Sequence, residues 1–178
     1  MKRNFHTRQL VFLSLCTGMG LVGKQLFAPA VNMLTDLIRL PGGGASTAFS
    51  LVFVVIGSAA ADWPFAATLA CAAQGILALC MGMSGYQGAF ILLTYAVPGI
   101  AIDAVRYFYP KRDDTFFCLA CCLGNTVGAA VSNALIFHLR STALVLWLLV
   151  AASFGAVIGI LGGAVYGRLT KIGAVKGV

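Results

Sequence analysis

Apolar residues run along this chain in long stretches, separated by short polar or Gly/Pro-rich breaks. A membrane-spanning helix needs about 20 mainly apolar residues. Six stretches approach that length, at about 9–22, 45–61, 64–83, 87–105, 115–137 and 142–166. Leu40-Pro41-Gly42-Gly43-Gly44 is a strong breaker before the second. Asp62-Trp63-Pro64 reads as a tight turn, with Pro64 suited to a first helical turn. Gly82 to Tyr86 separates the third and fourth stretches. Tyr109-Pro110-Lys111-Arg112-Asp113-Asp114 is the clearest polar loop, and His138-Leu139-Arg140-Ser141 ends the fifth helix. The first stretch could continue toward Val31, but Gly23-Lys24-Gln25 and Pro29 interrupt it. A long outer connection, 23–44, is therefore predicted.

Composition supports hydrocarbon as the solvent. The chain has 178 residues, 60% hydrophobic and 10% charged, with mean hydropathy +0.95. Soluble domains average about 45–50% apolar and about 25% charged residues. The expectation is one all-α membrane domain spanning 1–178, a bundle of six transmembrane helices. The basic start before the first apolar run resembles a signal-peptide n-region, but no small-residue cleavage site follows a short core, so a retained first helix is expected.

The net charge of +7 falls between apolar runs rather than along a face or stripe, so it reads as a topology signal and not as a nucleic-acid footprint. With six crossings, Lys2, Arg3, Arg8, Arg106, Lys111, Arg112, Arg168, Lys171 and Lys176 share one side. Lys24, Arg39 and Arg140 take the other. That bias predicts both termini in the cytoplasm and location in a cell membrane of the prokaryotic inner-membrane kind.

Little in the sequence points to catalysis. No G-x-x-x-x-G-K-[ST] phosphate loop is present. The acids Asp36, Asp62, Asp103, Asp113 and Asp114 form no evident dyad with a base, and Asp103 and Arg106 are spaced to pair on one helix face. All six cysteines lie in apolar segments and read as packing residues. Cys118-x-x-Cys121 lacks a second ligand pair, and His6 and His138 are predicted on opposite sides, so neither a metal site nor a cofactor is expected.

Polar side chains gather toward the outer ends of the predicted helices. Gln25, Asn32, Asp36 and Arg39 lie in the first connection, with Lys24 beside them. Tyr86 and Gln87 open the fourth helix, Asn133 and His138 close the fifth, and Trp147 lies near the outer end of the sixth. Together they could line a pocket for a small polar ligand, with the partly apolar stretch 32–38 as a lid. The competing reading makes Trp147, Tyr86 and Arg140 interfacial anchors, and Gln74 and Asn125 interhelical hydrogen-bonding residues. Small residues recur at helix-packing spacing: Ser14 and Gly18, Cys16 and Gly20, Gly124 and Gly128, Gly155 and Gly159. Internal packing explains most of these; Ser14 and Gly18 are the pair assigned to partner docking.

Six short helices in about this length, cytoplasmic termini, a long first outer loop and the small-x-x-x-small segment Ser14-Leu15-Cys16-Thr17-Gly18 make the whole chain resemble the substrate-binding S components of energy-coupling factor (ECF) transporters. The family's usual alanines are here Ser14 and Gly18. The resemblance implies a non-enzymatic subunit that captures a small water-soluble vitamin or precursor from outside. It also implies docking onto a transmembrane coupling protein driven by two ATPase subunits. By position it makes Gln25, Asn32, Asp36, Arg39, Tyr86, Gln87, Asn133, His138 and Trp147 the candidate ligand contacts. A thiamine- or pyrimidine-like compound is one possible substrate, with the rings stacking on it and Asp36 attracting a cation. Two rival expectations are a small secondary transporter or exporter, which would need intramembrane ionisable residues, and a structural or assembly membrane protein.

Overall fold

The computed structural model describes residues 7–37, 43–61, 63–83, 85–138 and 140–173, with backbone alone for 34, 36, 43–45 and 85–87. Among these residues all regular structure is helical. The helices are α1 (Thr7–Asp36), α2 (Gly43–Ala61), α3 (Ala66–Cys80), α4 (Ile91–Phe108), α5 (Asp114–Ser132) and α6 (Ser141–Lys171). A 3₁₀ segment, Gly85–Phe90, leads into α4, and a π-helical turn, Asn133–Phe137, extends α5. Four helical stretches are long and apolar enough to cross a membrane: Thr7–Met33, Gly88–Phe108, Asp114–Phe137 and Ser141–Lys171. Two shorter apolar stretches, Ser46–Ala61 and Ala66–Cys80, complete the bundle.

Of the two shorter helices, α2 is the interior one, whereas α3 exposes Leu69, Ile76, Leu77 and Leu79. α2 packs against α1, α3, α5 and α6. Most of its turns are buried, from Ala48 through Leu51, Val54, Val55 and Ile56 to Ala59. Large apolar side chains on the outer helices face outward instead: Leu15, Met19 and Leu26 on α1, and Leu149, Val157 and Leu161 on α6, are all exposed. A soluble protein does not expose so many large apolar groups on continuous helix faces, whereas lipid solvates them.

Glycine sets the closest approaches. On α6, a methyl at Gly155 would come 2.7 Å from the Cys121 carbonyl oxygen, and one at Gly159 would come 2.5 Å from that of Phe117. Gly124 and Gly128 turn instead toward Ile102 and Pro98 of α4. Both G-x-x-x-G pairs therefore serve contacts inside the bundle.

The first helix corrects the predicted layout. The segment assigned to the outer loop 23–44 is helical as far as Asp36, with Pro29 inside it. Lys and Gln are good helix formers, so the dip in hydropathy at Lys24-Gln25 was not a helix stop. Phe27 stacks on Phe49 of α2 with ring centroids 4.5 Å apart, holding the extended helix against the bundle. Pro29 withdraws one backbone donor, a loss that membrane helices tolerate. The proposed lid over 32–38 is thus helical through Asp36. Arg39 and most of the Leu40–Gly44 breaker lie outside the described residues.

At the end of the bundle that carries the termini, polar groups hold helix ends. Asp103 of α4 accepts hydrogen bonds from the Thr68 amide at 2.8 Å, the Thr68 hydroxyl at 2.7 Å and the Ala67 amide at 3.3 Å. It thereby caps α3, whose own preceding residue supplies no side-chain cap. Arg106 donates to the carbonyls of Ser58 and Trp63. The two side chains, spaced to share one face of α4, both bond to groups around the α2–α3 connection.

Candidate functional site

A narrow cleft lies in the half of the bundle bearing the α1–α2, α3–α4 and α5–α6 connections, opposite the termini. Every helix contributes to its lining. Lys24 comes from α1, Thr47 and Ser50 from α2, and Gln74 from α3. α4 adds Thr94, Tyr95 and Pro98, α5 adds Ser132, the π-turn adds Phe137, and α6 adds Trp147.

The floor is a three-helix hydrogen-bond bridge. Gln74 is fully buried; its Nε2 donates to the Thr17 carbonyl of α1 at 2.9 Å, and its Oε1 accepts from the Ser50 hydroxyl of α2 at 2.7 Å. In hydrocarbon an unbonded amide would cost several kcal/mol, roughly, so these contacts fix Gln74 in place. Gly20 makes room for it: a methyl there would lie 2.5 Å from Gln74 Nε2. Asn125, also fully buried, donates through Nδ2 to the Ala151 carbonyl at 2.7 Å and ties α5 to α6. Both amides are thus interhelical bonding residues.

One wall is cationic and phenolic. Lys24 Nζ donates to the Tyr95 hydroxyl at 2.8 Å and lies 4.6 Å from the centre of the Tyr95 ring. Another wall is aromatic. Trp147 is 1% exposed and meets Phe137 edge to face, with centroids 5.2 Å apart. Pro98 has no amide hydrogen to give the Thr94 carbonyl, so the α4 ladder lacks one bond where both residues reach the cleft. The π-turn is a second irregularity beside it. Its closing bond runs from the His138 amide to the Asn133 carbonyl, 2.9 Å, and His138 ends it in the left-handed region at φ 48°. Such turns recur at functional sites because they displace side chains from regular helical positions.

The free volume of the cleft is about 40 Å³, room for a few water molecules, whereas pockets for organic ligands run to roughly 300–1,000 Å³. An organic ligand therefore requires its walls to part. A wider groove of about 590 Å³ lies at the opposite end, between 110–114 and the last turns of α6. It is open, and Asp113 there is already engaged as the cap of α5. Its carboxylate accepts from the Phe116 amide at 3.1 Å and the Tyr109 hydroxyl at 2.9 Å. The bond from the Phe116 amide, then that from Tyr109, holds Asp113 below the ordinary carboxylate range. Burial of polar groups and participation of all six helices favour the narrower cleft as the candidate site.

The predicted site residues divide sharply. Trp147 lines the cleft and is buried, not an interfacial anchor. Asn133 is half-buried in the adjoining π-turn. Gln25 and Asn32 lie on the exposed face of α1, and His138 is exposed at the end of the π-turn. None of the three lines the cleft: helix α1 rotates Gln25 and Asn32 outward where a loop was predicted, and His138 lies past the last residue of the π-turn. Arg39 and the side chains of Asp36, Tyr86 and Gln87 lie outside the described residues. Sequence reasoning missed Tyr95, Thr47, Ser50, Thr94, Ser132 and Phe137 as lining residues, and placed Lys24 only in the outer loop. A usable signal was present: buried positions on α1 recur at Leu13, Cys16, Thr17, Gly20, Leu21 and Val31, and that period carried onward places Lys24, not Gln25, inward.

Ser14 and Gly18, the predicted docking pair, face away from the bundle. Ser14 is exposed, and a methyl at Gly18 would meet nothing within 4 Å. Cys16 and Gly20, at the same spacing, pack inward. No protein family, curated protein or solved structure matches the chain.

Proposed function

We propose that this chain is the membrane-embedded substrate-binding subunit of an importer of the energy-coupling factor kind. It crosses the cell membrane six times, with both termini in the cytoplasm, and takes a small water-soluble vitamin-like solute from the outer side. The observation that carries this reading is the cleft itself. It is polar, aromatic-walled, built from every helix and located opposite the termini. A bundle serving only as scaffold has no need to bury a glutamine and hydroxyls, and half-bury a lysine, around one space, given the cost of polar groups in hydrocarbon.

The open small-residue face at Ser14 and Gly18 supports docking of α1 onto a transmembrane coupling protein, itself driven by two ATPase subunits. The chain carries no phosphate loop, so ATP hydrolysis belongs to those partners and no catalysis is assigned to this chain. A secondary transporter would instead couple to an ion through intramembrane acids. The described acids Asp103, Asp113 and Asp114 all belong to the end bearing the termini, away from the cleft.

The test is affinity capture of the tagged chain from its native membrane, followed by reconstitution. The expected result is co-purification of a membrane coupling protein and ATPase subunits, with solute uptake that stops when ATP is withdrawn. Uptake by the chain alone, driven by a proton or sodium gradient, would overturn the assignment.

A further inference from the structure

We infer that the solute held in the cleft is a small organic anion, a planar ring bearing a carboxylate, and that Lys24 is its charge partner. This rests on the binding-subunit reading above and names the substrate class for the same site. Lys24 Nζ lines the cleft and has a neutral hydrogen-bonding partner, the Tyr95 hydroxyl at 2.8 Å. The acids whose side chains the structure describes are Asp103, Asp113 and Asp114, and none of them lines the cleft. Asp103, Asp113 and Asp114 belong to the opposite end, where Asp103 caps α3 and Asp113 caps α5.

The cleft thus presents one cation, at least five uncharged polar side chains and no carboxylate among the described residues. A cationic solute would meet Lys24 with no described carboxylate to offset the repulsion, which disfavours a thiamine-like cation in this cleft. A carboxylate satisfies the ammonium and can also accept from the Tyr95 hydroxyl, with charge-assisted bonds that are shorter and stronger than neutral ones. Trp147 and Phe137 supply the apolar wall for a flat ring. The Ser50 and Ser132 hydroxyls, which donate to Gln74 and to the Gly128 carbonyl, can accept from its polar substituents.

The experiment uses the full chain in nanodiscs of zwitterionic lipid. Thermal stabilisation is measured with a panel of ring acids, each paired with its neutral amide and with a ring ammonium of similar size; benzoate, benzamide and benzylammonium form the simplest set. Ligand co-purified with the chain is released and identified by mass spectrometry. The expected result is stabilisation by acids only and an acid as the released ligand. Affinity should fall about ten- to hundredfold in Lys24→Met and largely recover in Lys24→Arg, with a smaller loss in Tyr95→Phe. A released or stabilising ligand that is neutral or cationic, bound equally well by Lys24→Met, overturns the anion inference and leaves the binding-subunit reading intact. Lys24-dependent stabilisation by phosphatidylglycerol, with no response to any acid, overturns it in favour of a lipid headgroup. Absence of any bound or stabilising solute removes the binding-subunit reading, and this inference with it.

Discussion

Gln74 shows how one residue organises the membrane interior of this protein. Its amide is bonded to two other helices and has no apolar substitute of equal effect. Gln74→Leu is expected to strip the Ser50 hydroxyl of its partner and to lower stability by about 1–3 kcal/mol, the cost of an orphaned buried polar group. Gly20→Ala acts on the same bridge from the other side, since its methyl collides with Nε2. It should cost about 1–3 kcal/mol through overpacking. Because both changes break one bridge, the double variant should be less damaged than the two losses combined, as unfolding in mixed micelles will measure. At the other end of the bundle, Asp113 titrates below its unfolded value because it caps α5. Its contribution is present in full above the ordinary carboxylate range and fades as pH falls through the depressed folded value. Melting temperature of the wild type should therefore drop more steeply than that of Asp113→Ala on acidification; parallel curves would remove the cap from the account.

Among the elements, α5 and α6 are locked by backbone proximity and α1 is held by side chains. Gly155→Ala and Gly159→Ala each place a methyl against α5 backbone that cannot rotate away, and each should destabilise the fold by about 1–3 kcal/mol or more. Gly167→Ala, on the same helix but with open space around it, should be neutral or stabilise by up to about 1 kcal/mol. Equal effects at the three positions would show that the helices do not meet as described. Much of this level was readable from the chain. Helix positions followed from the apolar runs, and breaks such as Asp62-Trp63-Pro64 fell where α2 ends and α3 begins. The errors arose where hydropathy and helix formation part company. Lys24, Gln25 and Pro29 lower the apolar average without ending α1. The site suffered accordingly. A shared outer level does not make polar residues converge: Gln25, Asn32 and His138 face outward while Ser50, Thr94 and Tyr95, hidden inside apolar runs, face the cleft. Trp147 was identifiable because few aromatics of that size lie near a helix end.

For the whole molecule, the charge bias and the even crossing proposed here predict that reporters fused to the two termini lie on the same, cytoplasmic side. An odd crossing would put them on opposite faces. The described cleft is too small for an organic solute, so substrate must separate elements that are now in contact. Pro29 in α1, Pro98 in α4 and the π-turn after α5 are the places where the helical hydrogen-bond ladder is already interrupted. Hydrogen exchange should accordingly slow on ligand binding around Asn133–Phe137 and the second half of α1, and remain unchanged across the α5–α6 glycine contact. The most direct test of the central claim is native mass spectrometry of the chain, taken from its own membrane into nanodiscs, beside Ser132→Leu, whose added side chain fills the cleft. One small molecule per wild-type chain and none on the folded variant is expected; an identical spectrum for both proteins would rule out a binding role for this cleft.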